Sequence, residues 1–188
     1  MLAGVSMGGY TALAFAARHR HRLRGLALVD TKAGADGEEA RANRVRIAEA
    51  VLGEAGVRAL SPMSATLLGP TSHERRPDVV AQVREWLEAA APAGVAWSQR
   101  AMAARPDRTD LLRRLADEGL RSVVVVGEQD ALTPVSEAQS MSLALRCPMV
   151  VVPDAGHLSP WEDPDAVAEA LRLLLAEVQA QGGPTVQG

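Results

Sequence analysis

Cysteine is almost absent. Cys147 stands alone in 188 residues, so no internal disulfide can form, and it reads as a small buried apolar residue before a strand. Lysine is as scarce, with Lys32 the single lysine among 20 basic residues, a bias that points with abundant Ala, Gly and Val to a GC-rich, bacterial gene. A strong excess of either charge is missing too. A formal net charge of −3 leaves no basic stripe, so nucleic acid is excluded as a partner on electrostatic grounds. The longest apolar runs, such as residues 123–126 and 171–176, fall far short of the roughly 20 residues that span a bilayer, so no membrane role is expected. The start has no basic region leading into an apolar run and a cleavage site, and the expected location is cytoplasmic. Four histidines and one cysteine show no zinc-type spacing, so no metal is expected.

What is present suits one globular domain with a real core: 47% of the residues are apolar. Residues 2–5 read as the tail of an apolar strand, 11–19 as a helix burying Leu13, Ala14, Ala16 and Ala17, and 26–29 as a second buried strand. Strand, helix, strand in that order is a parallel unit. From Asp36 to Asp117 the texture becomes Ala, Arg and Glu at helical spacing, broken by Gly53, Gly56, Pro62, Pro70, Pro77 and Pro92 into short helices. One of these presents Val79, Val83, Trp86 and Leu87 on a single face. Residues 122–126 and 149–152 are continuous apolar runs of the kind found in a parallel sheet covered on both faces, each followed by a helical pattern, 135–145 and 164–180. The chain therefore divides into a strand-helix-strand unit (1–35), a helical segment (36–117), a second core segment (118–181) and a frayed tail (182–188).

The chemistry begins at Gly4-Val5-Ser6-Met7-Gly8, a G-x-S-x-G pattern in which small flanking residues let a sharp strand-to-helix turn expose the serine hydroxyl. By chance alone such a match arises on the order of once in ten chains this rich in glycine, so its setting between a strand and a helix carries the weight. A serine hydroxyl needs a base. His19 and His21 lie among arginines at a helix end, and His73 sits beside Glu74 and Arg75. His157, in Pro153-Asp-Ala-Gly-His157-Leu-Ser-Pro, follows a strand, where α/β proteins place their sites. The loop after residues 123–126 offers Asp130 and, less well placed, Glu128. Alone, Asp130 would read as a helix-start aspartate near Thr133 and Pro134. The order Ser6, Asp130, His157 is the one that accompanies this turn.

The stretches GVSMGGYTALAFAARH, LALVDTKAGAD, VVVVGEQDALTP and VVPDAGHLSPWEDPDAV closely resemble the α/β-hydrolase superfamily, and in wording the 3-oxoadipate enol-lactonases, carboxylesterases and cofactor-free haloperoxidases. The resemblance implies an α/β class fold, a parallel sheet flanked by helices with a helical cap (36–117) inserted between strands. It implies Ser6 as nucleophile, Asp130 as acid, His157 as base and the Met7 amide as one oxyanion donor. A small-molecule ester, thioester or lactone would be cleaved without any cofactor. Trp86 and Trp97 are candidates for the cap's pocket wall. Family members carry further strands and an HG-type loop before this turn, and that loop supplies the second oxyanion donor. The expectation is a partial α/β-hydrolase fold in which Met1 is an internal start and the native chain is longer. The strand before Ser6 would then present an open edge suited to self-association. The competing expectations are a non-catalytic remnant or interaction protein, and a C–C hydrolase or perhydrolase on the same fold.

Overall fold

The computed structural model describes residues 1–180; the tail expected at 182–188 lies outside the described residues. Four strands, β1 (Leu2–Val5), β2 (Gly25–Val29), β3 (Arg121–Gly127) and β4 (Met149–Val152), form one sheet in the order β1-β2-β3-β4, with every neighbouring pair parallel. β2 and β3 occupy the centre, where both faces are covered. That position explains why they are unbroken apolar runs instead of alternating ones. Side chains still alternate by face. Leu26, Leu28, Val124 and Val126 point to one side, while Ala27, Val29, Val123 and Val125 point to the other.

Helices cover the two faces. On the first face lie α1 (Met7–His19), contributing Ala12, Leu13 and Ala16, and two helices from later in the chain. The start of α1 differs from the expected residue 11. The chain enters the helix directly from the turn at Ser6, and a period search cannot see Gly8 and Gly9 because they carry no apolar side chain. Ala17 is exposed, and Ala12 takes its place in the core.

Between β2 and β3 runs a helical layer. It comprises α2 (Glu38–Leu52), a 3-10 segment (Gly56–Met63), α3 (Ser64–Leu67), α4 (Pro70–Arg75), α5 (Pro77–Glu88), α6 (Pro92–Ala103) and α7 (Thr109–Asp117). Proline opens α4, α5 and α6 at their first position, where its missing N–H costs nothing. Ala48 and Val51 of α2 pack with Leu60 and Ala96 in a cluster separate from the sheet, and Val79, Val80 and Val83 of α5 form another with Leu68. α7 behaves differently: Leu111, Leu112 and Leu115 enter the core beneath the sheet. α8 (Val135–Leu145) joins them through Ala138, Met141 and Leu145.

The second face belongs to α10 (Pro164–Ala180), which follows the one-turn α9 (Ser159–Glu162) and buries Val167, Ala170, Leu174 and Val178 against the sheet. Cys147 is half-buried against the first cluster, and burial raises its thiol to about 11, in keeping with an inert apolar role. Among the described residues β1 is an edge strand with β2 as its one neighbour, and Val5 and Met7 at its end are exposed. No helix of the described residues is long and apolar enough to cross a membrane.

Candidate active site

The carboxyl ends of the four parallel strands deliver the site. Ser6 leaves β1 with φ 49° and ψ −115°, a conformation that costs roughly 1–3 kcal/mol for a residue with a side chain. Two hydrogen bonds hold it there: its N–H donates to the Val29 carbonyl at 2.9 Å, and the Thr31 hydroxyl donates to the Ser6 carbonyl at 2.8 Å. The turn is tight enough that a Cβ on Gly4 would lie 2.4 Å from the Gly8 carbonyl oxygen. Glycine is therefore required at position 4.

Ser6 Oγ lies 2.7 Å from Nε2 of His157, whose Nδ1 lies 2.8 Å from Oδ2 of Asp130. The three residues named from chain order thus meet in one hydrogen-bonded line. Asp130 also accepts the N–H groups of Leu132 (2.8 Å) and Thr133 (2.9 Å) on Oδ1, and the Thr133 hydroxyl (2.7 Å) on Oδ2. The turn-forming aspartate and the histidine partner are the same residue, one oxygen for each duty. Burial alone would raise its pKa. The hydrogen bond and charge of His157, with the Thr133 donors, outweigh burial and lower it, so the carboxylate stays ionised. Glu128 stands exposed and accepts the Asp154 N–H at 3.2 Å, away from the imidazole. His19, His21 and His73 are exposed.

Two buried carboxylates hold the loops in place, and the sequence reading passed over both. Asp30, at the end of β2, is fully buried with φ 45°. It accepts the Gly127 N–H (3.0 Å) from the end of β3, and the N–H (3.0 Å) and hydroxyl (2.7 Å) of Ser159, two residues beyond His157. Glu162 accepts from Gly156 N–H (2.7 Å), Gly69 N–H (2.8 Å) and the Ser72 hydroxyl (2.7 Å), fastening the histidine loop to α4. An aspartate just after a strand and a glutamate in a Pro-containing turn look like solvated loop residues until the fold closes over them.

Burial raises Asp30 from 3.8 to about 6 against the opposing hydrogen bonds of Ser159 and Gly127. The folded state therefore holds this proton more tightly than the unfolded chain does, and stability from this group falls as pH rises from 3.8 to about 6. In Asp30→Asn that slope disappears. The stability of the variant relative to the parent is expected to rise by about 2 kcal/mol between roughly pH 4 and pH 7, read from urea midpoints at the two values.

In front of Ser6 and His157 opens a cavity of about 640 Å³, within the range of small-molecule sites. Ile47, Met63, Leu67 and Met102 contribute apolar lining, and Tyr10, Lys32, Arg44 and Arg46 polar groups. Neither tryptophan proposed for the pocket lines it. Trp97 is 71% exposed, and Trp86 turns outward at 47% to meet Trp161 at a ring-centroid separation of 4.9 Å. Helical spacing put Trp86 near the apolar stripe of α5, but Val79, Val80 and Val83 fill the buried face by themselves. Trp161, which meets Trp86, is likewise exposed at the surface.

The chain belongs to the alpha/beta hydrolase family, whose model matches residues 1–170. Solved structures agree. A thermophilic esterase from Thermogutta terrifontis, solved with malate bound, is 41% identical with a TM-score of 0.86, the match covering 94% of this chain and 64% of that one. An enol-lactonase from Burkholderia xenovorans is 28% identical (TM-score 0.76; 93% and 64% covered), and a hydrolase from Pseudomonas aeruginosa 26% (0.79; 92% and 63%). The chain thus spans less than two thirds of the length of each. A search of curated proteins returned no match.

Proposed function

We propose that Ser6, His157 and Asp130 make the protein a serine hydrolase that cleaves an ester, thioester or lactone through an acyl-enzyme. The observation that carries this reading is the unbroken line from Ser6 Oγ to His157 (2.7 Å) to Asp130 (2.8 Å), with Ser6 and His157 lining the cavity. Asp130 holds the imidazole proton on Nδ1, leaving Nε2 free to accept. As Ser6 Oγ bonds to the substrate carbonyl carbon, its proton passes to Nε2 and the carbonyl electron pair moves onto oxygen. The tetrahedral intermediate then expels the alcohol or thiol, which takes the proton from His157. Water repeats the sequence on the acyl-enzyme, releasing the acid and restoring the Ser6 hydroxyl.

The Met7 amide, at the first position of α1, is the assigned oxyanion donor. It belongs to the opening turn of a helix, where N–H groups have no intrahelical acceptor. The esterase and enol-lactonase neighbours favour a carboxylic ester or lactone as substrate.

The test is a fluorophosphonate probe followed by peptide mapping. Label is expected on Ser6, in the tryptic peptide 1–18, together with turnover of a short p-nitrophenyl ester; both vanish in Ser6→Ala. No label on Ser6, or ester turnover that survives Ser6→Ala, overturns the assignment.

A further inference from the structure

The polar lining of the cavity has an unbalanced charge. Lys32, Arg44 and Arg46 line it, and no aspartate or glutamate is among the lining residues. Beneath them Asp36, with a side chain 1% exposed, is the carboxylate shared by three cations: Lys32 at 3.2 Å, Arg105 at 3.1 Å and Arg44. Three positive groups on one negative group leave a formal surplus of two charges. Arg46 pairs with the neutral amide oxygen of Asn43, so it adds to that surplus. Glu39 lies with Arg46 along an adjoining groove and not in the cavity.

Asp36 fixes Lys32 and Arg44, and both of these side chains also line the cavity. Lys32 has three N–H donors and one ion pair. Arg105 lies on the Tyr10 ring, 4.1 Å from its centroid, and is not among the lining residues; Arg44 is, and it also donates to Gln99 Oε1 (3.4 Å) and Met102 Sδ (3.3 Å). The apolar lining of the same cavity, Ile47, Met63 and Leu67, suits a short hydrocarbon segment.

Building on the serine hydrolase reading, we infer that the substrate carries a carboxylate, which Lys32 and Arg44 hold in the cavity while its ester or lactone carbonyl meets Ser6. The ion pairs to Asp36 pre-position both cations, so little side-chain freedom is lost when the anion binds.

The test compares two p-nitrophenyl esters of similar length, the mono-ester of glutaric acid and the neutral valerate. The parent is expected to favour the anionic ester in kcat/KM by about 10- to 100-fold, the range for a charge-assisted contact. Lys32→Gln should reduce that ratio by about tenfold, and Lys32→Arg, which keeps the charge, should restore much of it. An equal or inverted preference in the parent, or a ratio untouched by Lys32→Gln, overturns the inference. A second arm does not depend on turnover. Lys32 is the single lysine in the chain, so acetylation at this side chain is read in peptide 25–41. Glutarate, but not neutral glutaramide, is expected to slow it. If neither ester is hydrolysed, the hydrolase reading fails while protection by glutarate still supports the anion site. No protection, or protection by inorganic phosphate alone, overturns the carboxylate assignment.

Discussion

Asp130→Asn is expected to lower kcat for a p-nitrophenyl ester on the order of 10,000-fold while leaving KM and folding close to the parent. The substitution keeps the shape and an acceptor oxygen. That oxygen still takes the Leu132 and Thr133 N–H groups, which now lie 2.8 and 2.9 Å from Oδ1. The other atom changes sign. Where Oδ2 accepts from His157 Nδ1 at 2.8 Å, an amide NH2 donates, so the imidazole must carry its proton on Nε2. Nε2 then faces Ser6 Oγ, 2.7 Å away, as a donor and cannot accept the serine proton. The Thr133 hydroxyl, 2.7 Å from Oδ2, rotates to accept the second amide N–H. The check is steady-state kinetics beside the rate of fluorophosphonate labelling at Ser6. A loss below tenfold in both would show that the carboxylate does not govern the tautomer.

Much of this site was legible in the chain because its members sit at ends of elements that the apolar pattern marks clearly. Residues 26–29, 122–126 and 149–152 read as strands and are strands. Ser6, Asp130 and His157 follow three of the four. What stayed hidden were interactions that only tertiary packing creates. Asp30 and Glu162 look like loop carboxylates, yet each binds backbone N–H groups from loops distant in sequence, Asp30 across 97 and 129 residues. The pocket wall was misjudged for a related reason. Aromatic content suggested Trp86 and Trp97, whereas the cavity is lined by aliphatic side chains and cations from α2, α6 and the loop after β2. Periodicity reveals which face of a helix is apolar. It does not reveal which helix leans over the serine.

The same hidden packing gives Asp36 an outsized place in stability. Asp36→Ala is expected to destabilise the fold by about 3–5 kcal/mol at neutral pH, because it leaves Lys32, Arg44 and Arg105 facing one another over a buried site with their shared partner gone. Burial works to raise the Asp36 pKa, but the Arg44 hydrogen bond and charge, with Arg105 and Lys32, overcome it and bring the carboxyl down to about 2. A folded value below the unfolded 3.8 means that this group contributes stability above 3.8 and loses it as pH falls through about 2. The penalty of the substitution should therefore shrink steadily as acid is added, since the parent gives up the same interactions. Urea unfolding across that range measures it. Asp110→Ala is the contrast: Asp110 pairs with Arg113 at 2.6 Å, but with side chains 84% and 60% exposed, so its removal should leave the midpoint nearly unmoved. Equal effects from the two substitutions would mean that the cations around Asp36 find solvent when the carboxylate goes. In that event the cations lining the cavity would be open to water and poorly suited to hold an anion against competition from solvent.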